Sequence, residues 1–329
     1  MLAKKYNDLE FPCPLGPIIK AYIAEKRSLG GKGNAEAKRL RSFSKMWYAQ
    51  DLADELTEDA VKRWISPRPT DAPATIRNRV AIIRGLGKFM QRQGYKAYCP
   101  DRSCVRKLPR HGYDPHIFTY REVLRFMESA ESYASGPYCG KWSRLIVPLI
   151  FRMLYCTGMR AGEVVALEVA DVDLAANVIT VRDAKFGKTR YVPIHDELAG
   201  TIREYVSLRK PERYLFPSPR EGHYGQHSLY EPFRKILFKA GIPHRGRGFG
   251  PRIHDFRHTF AVHSMMKWAM SGHDMATAMP RIAAYLGHKD VSETEWYLHL
   301  TIRIAPRLGG MLNSEFGKIF PREFQHDKQ

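Results

Sequence analysis

The amino-acid sequence predicts a mainly α-helical protein with one small antiparallel β-sheet, divided into two domains. Apolar residues recur every three or four positions through most of the chain, which is typical of amphipathic helices. Only residues 177–182 and 191–194 alternate as strands do, and a glycine between them permits a hairpin turn. Residues 94–117 are rich in glycine, proline and basic side chains and lack a helical period, so they are predicted to link the domains.

The first predicted domain, residues 10–108, is a bundle of helices. Helices are expected over 17–27 and 34–48, each with an apolar stripe on one face. Thr57 is a suitable N-cap for a third, short helix, because its hydroxyl can accept a hydrogen bond from the first turn. The longest helix is expected over 75–93, where a basic face lies opposite the apolar stripe.

The chain is strongly basic: its 329 residues carry a formal net charge of +19. This charge indicates a polyanionic partner, either nucleic acid or an acidic membrane surface. No apolar run reaches the ~18 residues of a membrane span, and no signal-peptide pattern is present, so a cytoplasmic protein without membrane contact is expected. The basic excess is concentrated in residues 1–110, which hold 23 Lys and Arg against 11 Asp and Glu.

Candidate contacts for a polyanion lie on the longest helix, in the linker and near the hairpin. Clustered basic side chains supply a phosphate footprint, and a basic linker between two basic domains suits a clamp around a duplex. A solvated spacer is the alternative interpretation of the linker. The candidates are Arg77, Arg79, Arg84, Lys88, Arg92, Arg106, Lys107, Arg110, Lys188 and Arg190.

The second predicted domain spans residues 115–305. It begins with a capping box, because Thr119 and Glu122 stand three residues apart at the start of an apolar stripe. A buried helix is expected over 145–155, followed by the hairpin. Later helices are expected over 195–208, 228–240, 253–268, 278–286 and 292–300.

Three short segments of the second domain carry the side chains best suited to chemistry. They are 157–163 (TGMRAGE), 254–258 (HDFRH) and 286–288 (LGH), and Tyr297 follows nine residues after the last. Together they supply guanidiniums, imidazoles and a phenol, which can hold a phosphodiester and attack it without a metal ion.

Helical spacing predicts how these side chains are displayed. His254 and Arg257 are three residues apart, so they project from one side of their helix, which we expect to face outward. Arg160 follows a Thr-Gly turn at the start of another helix, where backbone N–H groups favour anions, and Glu163 lies within its reach. Taken alone, the His254–Arg257 pair is at least as typical of a solvated helix face, and a surface ion pair is the favoured interpretation of Arg160 with Glu163.

Tyr297 is the candidate nucleophile. Its helix is expected to bury Leu300, and Tyr297 is offset from that face and expected to point away from the core. A phenol with an ordinary pKa of ~10 needs nearby positive charge or a base to attack at neutral pH.

The order of these residues resembles that of the tyrosine recombinase (phage integrase) family. The likeness covers most of the chain and includes the hairpin. It implies a two-domain DNA clamp, with a helical core-binding domain at 10–108 and an integrase-type catalytic domain at 115–305. The tail, 306–329, carries scattered apolar residues and is a possible intersubunit docking segment.

The resemblance implies a role for each matching residue. Tyr297 attacks the scissile phosphate and forms a 3′-phosphotyrosine. Arg160 and Arg257 hold the non-bridging oxygens, and His254 shares that contact and proton handling. Charge that develops on the phosphate oxygens is stabilised by such fixed donors.

Three further roles follow from the same likeness. Lys185 protonates the leaving 5′-oxygen, His288 hydrogen-bonds the phosphate, and Glu163 supports the site. Phe186 follows Lys185 where the family usually has a small residue, so Lys188 remains a rival general acid.

The implied partner is double-stranded DNA, bound by a homotetramer on paired sites, with accessory DNA-bending proteins as possible helpers. No cofactor or metal is implied, and a prokaryotic host is expected.

Two alternatives share the scaffold: a type IB topoisomerase that relaxes DNA, and a catalytically silent DNA-binding regulator. A zinc knuckle is disfavoured by the irregular spacing of the five cysteines, and a metal phosphohydrolase by the lack of partners for the His254-Asp255 pair.

Overall fold

The computed structural model places two compact units in the chain, 1–114 and 115–329. The division falls inside the segment in which the sequence predicts a linker. The mainly helical class with one small antiparallel sheet is confirmed. The structure describes residues 9–31, 33–49, 55–105, 114–133, 142–182, 189–219, 221–244, 246, 250–287, 297, 300 and 301.

Four α-helices form the described part of the first unit. They are α1 (Gly16–Ser28), α2 (Asn34–Tyr48), α3 (Glu58–Ile65) and α4 (Pro73–Arg92). Their apolar stripes meet in a core that includes fully buried aromatic side chains, as the helical periodicity predicts. A 3₁₀ turn, Arg102–Val105, follows in the segment predicted to be a linker.

The second unit contains seven described α-helices and three described strands. Thr119 and Glu122 form the predicted capping box at its first helix, which confirms that sequence signature. The elements are α5 (Tyr120–Glu131), α6 (Ser143–Thr157), α7 (Ala161–Val165), β1 (Val172–Asp173), β2 (Val178–Val181), β3 (Arg190–Pro193), α8 (Asp196–Arg209), α9 (Tyr230–Lys239), α10 (Asp255–Met270) and α11 (Met275–Leu286).

The sheet is antiparallel with the order β1-β2-β3. Val181 pairs with Arg190 at the loop end of the β2–β3 hairpin, and Val178 pairs with Pro193 at the open end. The two-residue strand β1 was not predicted, because so short a segment carries no readable alternation.

An aromatic core fixes the start of α10, the helix that follows His254. Phe256 is fully buried and stacks on Phe118, with ring centroids 4.8 Å apart and planes 7° apart. The backbone N–H of Phe118 donates to the hydroxyl of Thr259 at 3.1 Å, and that of His116 donates to the carboxylate of Asp255 at 3.3 Å. The segment before α5 therefore runs along the first turns of α10 and holds them.

A second apolar cluster joins α10 and α11 and includes Tyr297 and Leu300. Among the described residues, no helix is both long and apolar enough to cross a membrane.

Candidate active site

Arg160 and Glu163 meet at the start of α7, as their spacing predicts. The Arg160 guanidinium donates to Oε1 of Glu163 at 3.0 Å, and the Arg160 backbone N–H donates to Oε2 at 2.9 Å. Arg160 directly precedes α7, so Glu163 returns across the first turn of this short helix. The carboxylate thereby fixes the guanidinium close to the helix start.

Arg190 joins the same carboxylate from β3. Its Nη2 donates to Oε2 of Glu163 at 2.6 Å and its Nη1 donates to Oε1 at 3.2 Å. Its Nε donates to the backbone carbonyl of Tyr285 at 3.1 Å, near the end of α11. The Arg190 side chain is only 10 % exposed, so it lies in the cluster and not on an outward hairpin surface. The sequence interpretation identified Arg190 as basic but missed this partner.

The pKa of Glu163 reflects its neighbours. Burial raises this pKa, but the hydrogen bond from Arg190, the bond from the Arg160 backbone and the charge of Arg190 outweigh burial and lower it to about 2. Glu163 is therefore ionised throughout the neutral range.

The prediction that Arg257 faces outward is wrong. Its residue is 2 % exposed, and its guanidinium donates to the carbonyl of Gly158 at 2.9 Å and to that of Leu286 at 2.6 Å. Helical spacing gives the side of a helix but not the depth of the elements around it, and here the ends of α6 and α11 cover that side. Burial and the charge of Arg160 lower the pKa of Arg257 to about 10, so it stays positive at neutral pH.

His254 lies directly before α10 and remains exposed. Although the residue is exposed, crowding by neighbouring atoms and the charges of Arg257 and Arg160 lower the pKa of its imidazole to about 4. The imidazole is therefore neutral at pH 7. His258, which has no assigned role in the sequence interpretation, lies one turn along α10 with its ring centroid 5.0 Å from that of His254.

Tyr297 lies in the same neighbourhood but not as predicted. Its ring centroid is 5.4 Å from that of His258, and the residue is only 3 % exposed. It shares an apolar cluster with Leu300, so the prediction that Tyr297 points away from the core is wrong. The negative charge of an ionised Tyr297 raises the pKa of Arg257, so the phenol and the guanidinium are electrostatic neighbours.

The basic residues of α4 behave differently from one another. Arg79 is buried, and both of its terminal nitrogens donate to the carboxylate of Asp71 at 2.7 Å. Arg79 is therefore not presented as a surface cation, which corrects its assignment to the polyanion-binding set. Arg84 donates to the carbonyl of Pro100, whereas Lys88 is exposed.

Arg92, on the same helix, is exposed and pairs with Glu25 at 2.6 Å, and Arg77 is half-buried.

Several predicted site residues lie outside the described residues, and their predicted roles stay predictions. They are Lys185, Lys188, His288, Arg106, Lys107 and Arg110.

The arrangement is chemically suited to a single phosphodiester. The guanidiniums of Arg160 and Arg190 hold one carboxylate, and that of Arg257 lies near enough to interact with it electrostatically, which leaves an excess of positive charge beside a neutral imidazole and a phenol. Arginine offers a planar fork of donors that matches two phosphate oxygens. In the described part of the chain, no three His, Cys, Asp or Glu side chains are grouped so as to hold a metal ion.

The match to a family model and to named relatives places the chain among the tyrosine recombinases. The chain belongs to the phage integrase family, whose model matches residues 117–303. It is 29 % identical over 293 residues to the tyrosine recombinase XerC of Erythrobacter litoralis, covering 87 % of this chain and 88 % of that protein. It is 26 % identical over 228 residues to the tyrosine recombinase XerD of Rhizobium meliloti, covering 68 % of each.

Solved structures share the fold. A XerH site-specific recombinase bound to its difH substrate, in a pre-cleavage complex, superposes with a TM-score of 0.59 at 22 % identity, over 80 % of this chain and 75 % of that one. A lambda integrase dimer bound to a COC′ core site gives a TM-score of 0.60 at 16 % identity, over 86 % and 76 %. The family expectation drawn from the motifs is thus confirmed.

Proposed function

We propose that this chain is a site-specific DNA recombinase encoded by a phage or other mobile element. It cleaves and rejoins DNA through a 3′-phosphotyrosyl intermediate and a Holliday junction. The observation that carries the proposal is the excess of guanidinium charge around Glu163. His254 lies beside this charge, and the ring of His258 contacts both the ring of His254 and that of Tyr297. A phosphodiester needs no metal ion at a site where fixed cations already balance its charge.

The proposed reaction is a transesterification. The phenol oxygen of Tyr297 attacks the scissile phosphorus as the bond from phosphorus to the 5′-oxygen breaks, so no net bond energy is lost. His254 is neutral at pH 7 and can take up the phenol proton. Lys185, or its rival Lys188, returns a proton to the leaving 5′-oxygen, and Arg160, Arg257 and His288 hold the non-bridging oxygens.

Delivery of the nucleophile in cis is the simplest form of this proposal. The ring of Tyr297 contacts His258 of its own chain, and the negative charge of an ionised Tyr297 raises the pKa of Arg257. Because the phenol is nearly covered, we expect the helix that carries it to shift when DNA enters.

Double-stranded DNA is the proposed partner, bound by both the core-binding domain and the catalytic domain. The net charge of +19 supports it, as do the DNA-bound relatives of the same fold. Exposed Lys88 is the best presented of the described basic residues of α4. Phosphate contacts through Arg106, Lys107 and Arg110 stay part of the proposal.

A homotetramer on paired sites is proposed, aided where needed by DNA-bending proteins. The catalytic unit has an open cavity of about 860 Å³ between α6, α8, α10 and α11, lined by apolar and aromatic side chains such as Tyr155, Phe260 and Trp268. An apolar tail like 306–329 from a neighbouring subunit suits such a cavity.

The decisive experiment traps the covalent complex. A nicked suicide duplex, drawn from DNA that flanks the gene, is incubated with the protein and with the variant Tyr297→Phe. We expect a denaturation-resistant adduct only with the tyrosine, while both proteins bind the duplex with the same affinity. Adduct formation by Tyr297→Phe would show that the nucleophile is another residue.

The same proteins separate the alternatives. A type IB topoisomerase would relax a plain supercoiled plasmid as a monomer, whereas a recombinase requires its paired sites. A silent regulator would bind the duplex without forming an adduct under any condition.

A further inference from the structure

Arg190 occupies a position that the proposed reaction scheme does not use. It stands at the first residue of β3, next to the hairpin loop, and its side chain reaches inward to two different elements. It grips both carboxylate oxygens of Glu163, in a two-pronged pair that fixes direction as well as distance. Through Glu163 it also fixes Arg160, which is held by the same carboxylate.

The second contact of Arg190 lies at the end of α11. The last carbonyls of a helix have no partner within the helix, and cationic side chains can satisfy them. Arg190 donates to the carbonyl of Tyr285, and Arg257 donates to the carbonyl of Leu286. Two guanidiniums therefore hold the helix end that leads into His288.

Gly287 shows how closely Arg190 approaches this turn. The glycine has φ +68°, which favours a residue without a side chain. A Cβ at this position would lie 3.3 Å from Cδ of Arg190, so the turn and the arginine pack directly against each other.

We propose that Arg190 is a positioning residue: it ties β3, Glu163 and the end of α11 together, so that Arg160 and Arg257 address the same phosphate. The inference rests on the proposed function. It assigns Arg190 an action through Glu163 and the turn, in place of a direct DNA contact.

The test compares Arg190→Gln and Arg190→Lys with the unaltered protein on the suicide duplex. The rate constant of adduct formation at saturating protein is measured from pH 4 to pH 9, and affinity is measured at several salt concentrations. We expect Arg190→Gln to slow the reaction by about 30- to 100-fold and Arg190→Lys by less, since lysine keeps the charge but loses the fork. Affinity and its salt dependence should stay unchanged.

The pH profile separates positioning from a merely structural effect. Glu163 faces Arg160, Arg190, His254 and Arg257, and the bond from Arg190 contributes most to lowering its pKa. Without Arg190 the pKa of Glu163 rises. The pH below which the rate constant falls should therefore be higher in Arg190→Gln than in the unaltered protein. Arg182→Gln is the matched control, because Arg182 lies on the same hairpin, is 64 % exposed and pairs with Asp171.

Each outcome decides the matter. A salt slope reduced by about one in Arg190→Gln would identify a direct phosphate contact and overturn the inference. An unchanged rate constant in that variant would overturn it as well, and would leave the proposed function intact. If the unaltered protein forms no adduct, the proposed function and the inference fail together.

Discussion

Two arginine–carboxylate contacts in this molecule look alike but serve different ends. In the first unit, Arg79 and Asp71 pair through two hydrogen bonds, with both side chains 9 % exposed. In the second unit, Arg190 and Glu163 pair in the same way, at 10 % and 11 % exposed. The difference lies in the number of cations: the first pair is balanced, whereas Glu163 is shared by two arginines, with Arg257 nearby.

Burial of a charged pair therefore does not by itself indicate function. A balanced pair closes a loop onto a helix and leaves no charge for a ligand. A carboxylate that is outnumbered holds cations in place while an anion is still needed to complete the charge balance.

The largest expected difference between the two pairs appears when each carboxylate is replaced by its amide. Glu163→Gln removes the charge that holds Arg160 and Arg190, so we expect adduct formation to fall by about 100-fold, the loss of two charge-assisted hydrogen bonds. Asp71→Asn should leave the rate within about twofold and lower only the thermal midpoint. Equal rate losses in the two variants would refute the distinction. Single-turnover cleavage and thermal unfolding provide the two measurements.

A smaller effect is expected at acid pH, through His254. Crowding by neighbouring atoms and the charges of Arg257 and Arg160 lower the pKa of His254 to about 4, below its value in the unfolded chain. The unfolded state therefore takes up this proton first, and the stabilising effect of a neutral His254 is lost as pH falls from about 6.5 towards 4. The denaturant midpoint should fall less steeply over that window in His254→Gln. Identical slopes in both proteins would contradict the assigned pKa.

The smallest effect is expected on α4. Lys88→Met removes an exposed cation, and we expect weaker DNA binding with a salt slope reduced by about one. Arg79→Met should leave the salt slope unchanged while lowering the thermal midpoint, because its charge is already taken by Asp71. Binding isotherms at several salt concentrations distinguish these outcomes, and a slope change in Arg79→Met would mean that Arg79 reaches DNA.

Local patterns in the sequence were sufficient for much of the fold. The capping box of Thr119 and Glu122 and the reach of Glu163 to Arg160 were both predictable, because each involves residues three apart. The motif order also predicted the family, which the comparisons confirm.

What failed depends on contacts distant in sequence. Arg257 was expected to face outward, yet its partners, the carbonyls of Gly158 and Leu286, come from 99 and 29 residues away. Tyr297 was expected to avoid the core for the same reason: a helical period gives direction, and the packing of other elements decides burial. The pairing of Arg190 with Glu163, 27 residues apart, leaves no local signal either.

The two carbonyl contacts of Arg257 have a consequence for the kinetics of the proposed reaction. A long, flexible side chain normally loses rotamer freedom when it first grips a ligand, at a cost of ~2 kcal/mol. Here that freedom is surrendered during folding, because main-chain oxygens on two helix ends already restrain the guanidinium. Substitutions that loosen either helix end should therefore slow catalysis well before they unfold the protein.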